Sequence, residues 1–527
     1  MITVLHQLKN NNWFFISLAG FVAVMPFSEA LVSIMSGVVL FTALAEDNLK
    51  NKIRRVKERR ILLFISSVFL IYLLSGIIFG NFNNAVYDLK KNLFFLVIPL
   101  AFMAGKEITT RQKQQLFIVF SMAVMAASLF AVYQWIITFY AGATDVRGIS
   151  LISHIRFSFQ VILSFWFCAL IIIKNYNVIS KTTLIMLFVI SLYFLAFVLF
   201  QQSLTGLYTL TASILFFIFY AIIKSPEKYK PFLFVSALLL LLIPVLYISW
   251  AVSRFYDIEE ADVNSIEKTT ALGNAYNHYF DDPLVENGRY VYLYVCEEEM
   301  REAWNKRSEC KYDSAGQNGF PLHATLMRYL TSKGLRKDAE GVEALTDKDV
   351  CNIENGISNV IFKDKKFSLY PRIYQTIWEY YVYSKTGYAN EQSLSQRIEF
   401  AKAAFTIINK NFWFGVGTGN WKDEFNEAYH ENSSKLAEKY YSSAHNQYLN
   451  YFVKFGITGL AMILFFIVYP VIQTGRYRDI YFLIFLIAMF FANFSDSNLE
   501  SHMGGSFFVF FYCLYISTDG VDYLKLR

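Results

Sequence analysis

Apolar positions along this chain gather in long unbroken runs rather than alternating with polar ones. Such runs occupy residues 13–27, 30–45, 61–79, 93–104, 116–139, 157–173, 183–200, 207–223, 231–251, 451–473, 480–494 and 505–517. A straight membrane-spanning helix needs about 20 apolar residues. The pattern therefore predicts an all-α, polytopic membrane protein with about twelve transmembrane helices. The shortest run, 93–104, must borrow from its flanks, and the first two, joined through Met25-Pro26-Phe27, read as two helices or as one broken element. Between 252 and 450 the runs stop. Helical stretches are suggested there at 296–307, 322–335, 371–385 and 394–409. In the last, Ile398, Ala401, Phe405 and Ile408 repeat at helical spacing, with Arg397 in the first turn. The expected organisation is an N-terminal transmembrane domain over 1–251 with about nine helices, a helical loop domain over 252–450, and transmembrane helices over 451–527.

Composition agrees with this division. The chain of 527 residues is 55% hydrophobic and only 17% charged, where soluble proteins carry about 25% charge. Most of that charge lies between Arg254 and Lys439, a region that also holds many Tyr, Phe and Leu residues and no low-complexity run, so it reads as folded. A cleavable signal peptide is not expected. The apolar stretch from Trp13 runs past signal-peptide length, and Ala43-Leu44-Ala45 leads straight into a basic cluster.

Charge also orients the chain. With the N-terminus cytoplasmic, alternate inside loops hold 20 Lys and Arg residues, while the short outside loops hold only Lys90, Lys91, Arg147 and Arg156. This fits the positive-inside rule and places 252–450 outside, in the periplasm if the cell is Gram-negative, with the chain in the inner membrane. The net charge of +6 then follows from loop topology, and no nucleic-acid partner is implied. Basic residues retained outside are either snorkelling residues or holders of an anion. Arg147 and Arg156, which flank one short loop, carry the second reading best.

Three of the five cysteines, Cys296, Cys310 and Cys351, fall in the outside region, so at most one bridge forms there, Cys296–Cys310 being one option. No zinc-type cluster, H-E-x-x-H or G-x-S-x-G is present, so no metal ligand, metalloprotease or serine-hydrolase site is expected. Phe414-Gly415-Val416-Gly417-Thr418-Gly419-Asn420 has the look of a phosphate loop, but no Lys-Ser/Thr follows and a helix precedes it. A tight turn that brings backbone close to a ligand or another helix is the better expectation. His445, just before the run 451–473, reads in two ways. It is a polar anchor at a helix end, or an imidazole placed to take a proton from a hydroxyl.

Taken in order, Ser395-Gln396-Arg397, Asn411 through Asn420, His445-Asn446-Gln447-Tyr448-Leu449 and Phe455-Gly456-Ile457-Thr458-Gly459-Leu460 resemble the O-antigen ligase and polymerase family. Its members carry an arginine-bearing helix, an "fGvGxGn" turn and an "HNxyL…GxxG" helix entry on an outside loop. The resemblance covers roughly 395–460 and implies glycan transfer from a polyprenyl (undecaprenyl) diphosphate carrier, with no cofactor and no metal. It implies that Arg397, with Arg147 and Arg156, binds the diphosphate. His445 corresponds to the family's essential histidine, a base or an acceptor-orienting group. Asn446, Tyr448, Gly415, Gly417 and Gly419 then support the site. The partners implied are the lipid-linked glycan donor, a lipid A–core or glycan or protein acceptor, and membrane lipid. One departure stands out: where members often carry Ser-Arg-Gly, this chain has Gln201-Gln202-Ser203-Leu204-Thr205-Gly206, with no arginine.

A ligase transferring to lipid A–core is the leading expectation. An O-antigen polymerase and a protein O-oligosaccharyltransferase use the same donor. A transporter is the non-enzyme alternative, and it would need ionisable or helix-breaking elements inside the spans, where Pro99 and Pro244 are the only ones noted.

Overall fold

The structure is a computed structural model, which describes residues 12–140, 146, 148–260, 265–317, 319–364 and 368–518. Every apolar run forms a helix: Trp13–Val24, Glu29–Ala45, Leu63–Ile78, Phe94–Ala104, Thr110–Tyr140, His154–Asn175, Lys181–Gln201, Leu204–Lys224, Lys230–Phe255, Gln447–Gln473, Ile480–Ala492 and His502–Ser517. Among the described residues, seven helices are long and apolar enough to cross a membrane, or eight if Glu29–Ala45 and Leu49–Glu58, bent by 116°, form one span. Four of the remaining apolar helices are shorter, with 10–17 residues. The molecule is a multi-pass, mostly helical membrane protein.

The chain divides into two compact units, Met1–Gln134 with Val146–Leu240 and Gln396–Arg527, and Trp135–Asp145 with Leu241–Ser395. The core of the first is rich in interlocked aromatic rings. Phe21 stacks on Phe510 at 4.8 Å and Phe117 on Phe167 at 3.9 Å. Three of the described helices here escape a search for apolar runs, Leu49–Glu58, Phe82–Lys91 and Trp421–Glu431. Part of the basic cluster on Leu49–Glu58 is structural. Arg55 Nε and Nη2 donate to the Ala104 carbonyl at 3.0 and 2.7 Å, and Arg59 Nη1 donates to those of Phe102 and Gly105. They cap the C-terminal carbonyls of Phe94–Ala104, where cations are favoured.

The second unit has its own core, built on Trp304, Tyr329, Leu326, Leu330 and Ile353. All four expected helices are present, as Glu297–Arg307, Leu322–Lys333, Tyr370–Thr386 and Ser393–Lys410. Ser393–Lys410 runs from this unit into the first, and its Leu394 amide donates to Glu379 Oε2 at 2.9 Å. A two-stranded antiparallel hairpin pairs Val285 with Tyr290 and Glu286 with Arg289. Its turn residues, Asn287 and Gly288, both take positive φ (49° and 79°), as the two-residue hairpin turn demands. Cys296, Cys310 and Cys351 are separate free thiols, so the Cys296–Cys310 bridge is not formed.

Candidate functional site

The site grows from the start of helix Gln447–Gln473. Asn446 caps it, its Oδ1 accepting from the Tyr448 and Leu449 amides at 3.0 and 3.1 Å. Capping by asparagine forces the preceding chain out of helical geometry, and His445 adopts φ +45°. A non-glycine residue there is strained, and such strain gathers at functional positions. The loop 493–501 is stitched to this corner. The Gln447 amide donates to the Asn493 carbonyl at 2.9 Å, the Leu499 amide to Gln447 Oε1 at 2.8 Å, and Asn446 Nδ2 to the Phe494 carbonyl at 3.1 Å.

That stitching sets Asp496 opposite the imidazole. His445 Nδ1 lies 3.2 Å from Asp496 Oδ1, and Nε2 lies 3.2 Å from Ser442 Oγ. Burial alone would raise the Asp496 carboxyl, but the hydrogen bond and charge of His445 and the charge of Arg156 outweigh it and hold the carboxyl below its ordinary range. An ionised Asp496 accepts only, so the ring nitrogen facing it, Nδ1, is the donor, and whenever the ring is neutral its lone pair lies at Nε2. The histidine side chain is 41% exposed while that of Asp496 is 15% exposed. The carboxylate is thus screened and the imidazole reachable.

The helix that carries Arg397 packs against the same place. Phe400, three residues on and so on the same face, stacks on the His445 ring at 5.3 Å and 26°. Tyr208 lies within electrostatic range of both Arg397 and Asp496. Among the described residues Arg397 makes no hydrogen bond or ion pair, although it is half-buried. Arg156 gives Nη1 to Glu29 Oε1 at 2.5 Å, while its buried Nε has no partner among the described residues. Two guanidiniums thus retain donors beside a histidine–carboxylate pair. Arg147 lies outside the described residues. The Gln201–Gly206 corner abuts the Asp496 loop, with Thr205 Oγ1 2.9 Å from Ser495 Oγ, and supplies no cation. Tyr448 is a packing residue: its ring meets Phe494 at 4.8 Å and its hydroxyl donates to the Phe490 carbonyl at 2.9 Å.

The glycine turn has a structural task. Helix Gln447–Gln473 breaks at Gly456, with φ 64° and ψ −173°. The Val416 and Gly417 amides donate to the freed carbonyls of Val453 and Lys454, both at 2.9 Å, and the Ile457 amide donates back to Phe412 at 2.9 Å. Thr418 N is taken by Ser75 Oγ at 3.0 Å. A Cβ on Gly415 would stand 2.5 Å from backbone atoms of Val453, Lys454 and Phe455, and one on Gly419 would stand 2.1 Å from the Asn81 carbonyl oxygen. The Val416, Gly417 and Thr418 amides are spent on neighbouring helices and not on a phosphate.

Beside this break sits a buried ion cluster that the apolar pattern hid. Lys454 Nζ is 2.7 Å from both Asp88 Oδ2 and Glu500 Oε1. Tyr72 OH donates to Glu500 at 2.7 Å and Trp421 Nε1 to Asp88 at 3.0 Å. The expectation that only Pro99 and Pro244 interrupt the spans is therefore corrected. Helix Gln447–Gln473 contains both a break and a charge, each satisfied within the protein. Sequence reading also missed Asp496. Its signal was the run Asp496-Ser497-Asn498-Leu499-Glu500, carboxylates wedged between two apolar helices where unpaired charge is expensive.

Fold and site together define a multi-pass membrane protein with a histidine held by a carboxylate and two arginines that keep unbonded donors among the described residues. Residues 352–464 match the model of the O-antigen ligase family, and this match supports that family for the chain. The matched segment contains Arg397, the glycine turn and His445, while Asp496 and Arg156 lie beyond it. Comparison with curated proteins gives no match.

Proposed function

We propose that the protein is a lipid-linked glycan transferase of the O-antigen ligase type, moving a glycan from a polyprenyl diphosphate to lipid A–core on the periplasmic face of the inner membrane. The observation that carries the reading is the Asp496–His445 pair, to which the Phe400–His445 stack brings the helix that bears Arg397. In the proposed step the acceptor oxygen bonds to the anomeric carbon as the bond from that carbon to the diphosphate oxygen breaks. The departing diphosphate keeps the electron pair, and the acceptor proton passes to His445 Nε2. Asp496 steadies the imidazolium that results. Arg397 and Arg156 face the charge that develops on the leaving group. Because the diphosphate is already a good leaving group, the proposed step calls on no nucleotide or metal. Ser442 Oγ stands in the structure where the acceptor hydroxyl would approach Nε2.

The test is genetic. Loss of a ligase leaves rough lipopolysaccharide with polymeric glycan accumulating on the carrier. Single-repeat caps would assign a polymerase instead, and unchanged lipopolysaccharide with altered glycoproteins a protein O-oligosaccharyltransferase.

A further inference from the structure

Within the second unit, helices Leu322–Lys333 and Tyr370–Thr386 and the segment 388–392 enclose a cavity of about 390 Å³. That size falls in the roughly 300–1,000 Å³ range of small-molecule sites. Five aromatic rings line it: buried Tyr374, half-buried Phe362 and Trp378, and Phe320 and Tyr388, which are 48% and 46% exposed. The planar polar groups of Gln375, Glu379 and Asn390 belong to the same lining. Trp378 is preset. Its Nε1 donates to the Val285 carbonyl at 3.1 Å, and the Arg328 guanidinium lies 4.2 Å over its ring.

The lining selects a ligand chemistry by exclusion. An acyl chain would dehydrate Gln375 and offer its amide N–H groups no acceptor. An anion would meet Glu379, while Arg328 is already spent on Glu286 at 2.6 Å. A sugar ring satisfies both halves of the lining. Its C–H face lies on an aromatic ring, and its hydroxyls donate to carboxylate and amide oxygens and accept from amide N–H groups. Gln375 Oε1 already accepts from Arg372 Nη1 at 2.8 Å, which leaves its amide N–H groups as the donors. We infer that this cleft is a saccharide-binding subsite for a neutral stretch of oligosaccharide. The choice of glycan rests on the transfer reading above. The recognition chemistry does not.

Two probes distinguish the sources of such a glycan: the free O-chain oligosaccharide and the free core oligosaccharide, each released by mild acid from the producing cells' lipopolysaccharide. Calorimetric titration of the purified full chain should show binding of one or both. Phe320→Ala and Tyr388→Ala should each weaken it by roughly 5- to 10-fold, the worth of one ring contact. Tyr380→Ala, on the same helix as Trp378 but outside the cleft lining, should bind as the native chain does. Hydroxyl-radical footprinting of the unsubstituted protein should show Phe320 and Tyr388 protected by the bound glycan. Binding retained in His445→Ala without transfer separates the cleft from the reacting centre. Binding in a protein that transfers no glycan would sink the transfer reading and leave the cleft standing. If neither oligosaccharide binds, or if both rim variants bind as tightly as the native chain, the inference is overturned.

Discussion

Replacing Asp496 by asparagine keeps the side chain's shape and removes the charge that holds His445 Nδ1 at 3.2 Å. A hydrogen bond to a charged partner is worth about 1.5–3 kcal/mol, and about 1.36 kcal/mol corresponds to one decade in rate. The turnover number should therefore fall on the order of 10- to 150-fold. Asp496 acts only through His445, so its loss should not exceed the roughly 10²- to 10⁴-fold that a general base supplies. Asparagine also offers an N–H toward Nδ1, which favours the tautomer protonated at Nε2 and so unable to accept. The assay is initial-rate glycan transfer by purified protein, with donor varied and pH scanned. The expected result is a lower kcat, a KM within about twofold of native, and partial recovery in Asp496→Glu. More than half the native kcat, or a loss confined to KM, would refute the positioning role.

Other substitutions probe the remaining parts. Arg397→Ala should lower kcat by roughly 10²- to 10³-fold, as loss of an electrostatic stabiliser does, with Arg397→Lys recovering only part because the bidentate fork is gone; native rates in both would remove Arg397 from the site. Gly456→Ala places a Cβ 2.3 Å from the Trp413 carbonyl carbon at a positive φ, so it should cost more than about 2 kcal/mol, and a native melting temperature would contradict the interlock. Lys454→Met strands Asp88 and Glu500, an expected loss of about 3–5 kcal/mol, partly restored when Asp88→Asn and Glu500→Gln are added; an unchanged melting temperature would contradict this. Burial, then the charge of Arg336, pushes the Lys337 ammonium down to about 7. Its unfolded value is about 10.4, so the folded chain binds this proton less readily than the unfolded chain. The penalty is full below about pH 7 and fades as pH rises toward about 10. Lys337→Met should raise the melting temperature most at low pH and flatten its rise between about pH 7 and 9, and an unaltered pH profile would show that Lys337 carries no penalty.

The helices of this protein were legible because burial in lipid demands long apolar runs, and every such run became one. Leu49–Glu58 was less visible because its basic residues dominate the pattern, although Leu49, Ile53 and Val56 keep helical spacing. The hairpin at Asn287-Gly288 was readable from that dipeptide alone and was overlooked. At the candidate site, His445 and Arg397 were found through motif order, and the structure brings their helices together through Phe400. Asp496 was not found, since its partner is 51 residues away in sequence and the pairing depends on how loop 493–501 is stitched to Asn446 and Gln447. Lys454 disappeared into an apolar run for a similar reason. Its two carboxylates come from separate elements, one of them 366 residues distant.

The central claim is that His445, oriented by Asp496 and flanked by Arg397, transfers glycan from a lipid diphosphate. Its most direct test is transfer in vitro by the purified protein, supplied with polyprenyl-diphosphate glycan and lipid A–core, alongside His445→Ala. Glycosylated lipid A–core and free polyprenyl diphosphate are expected from the native protein, and a loss of roughly 10²- to 10⁴-fold in the variant. Absence of product from the native protein, or undiminished transfer by His445→Ala, would contradict that claim.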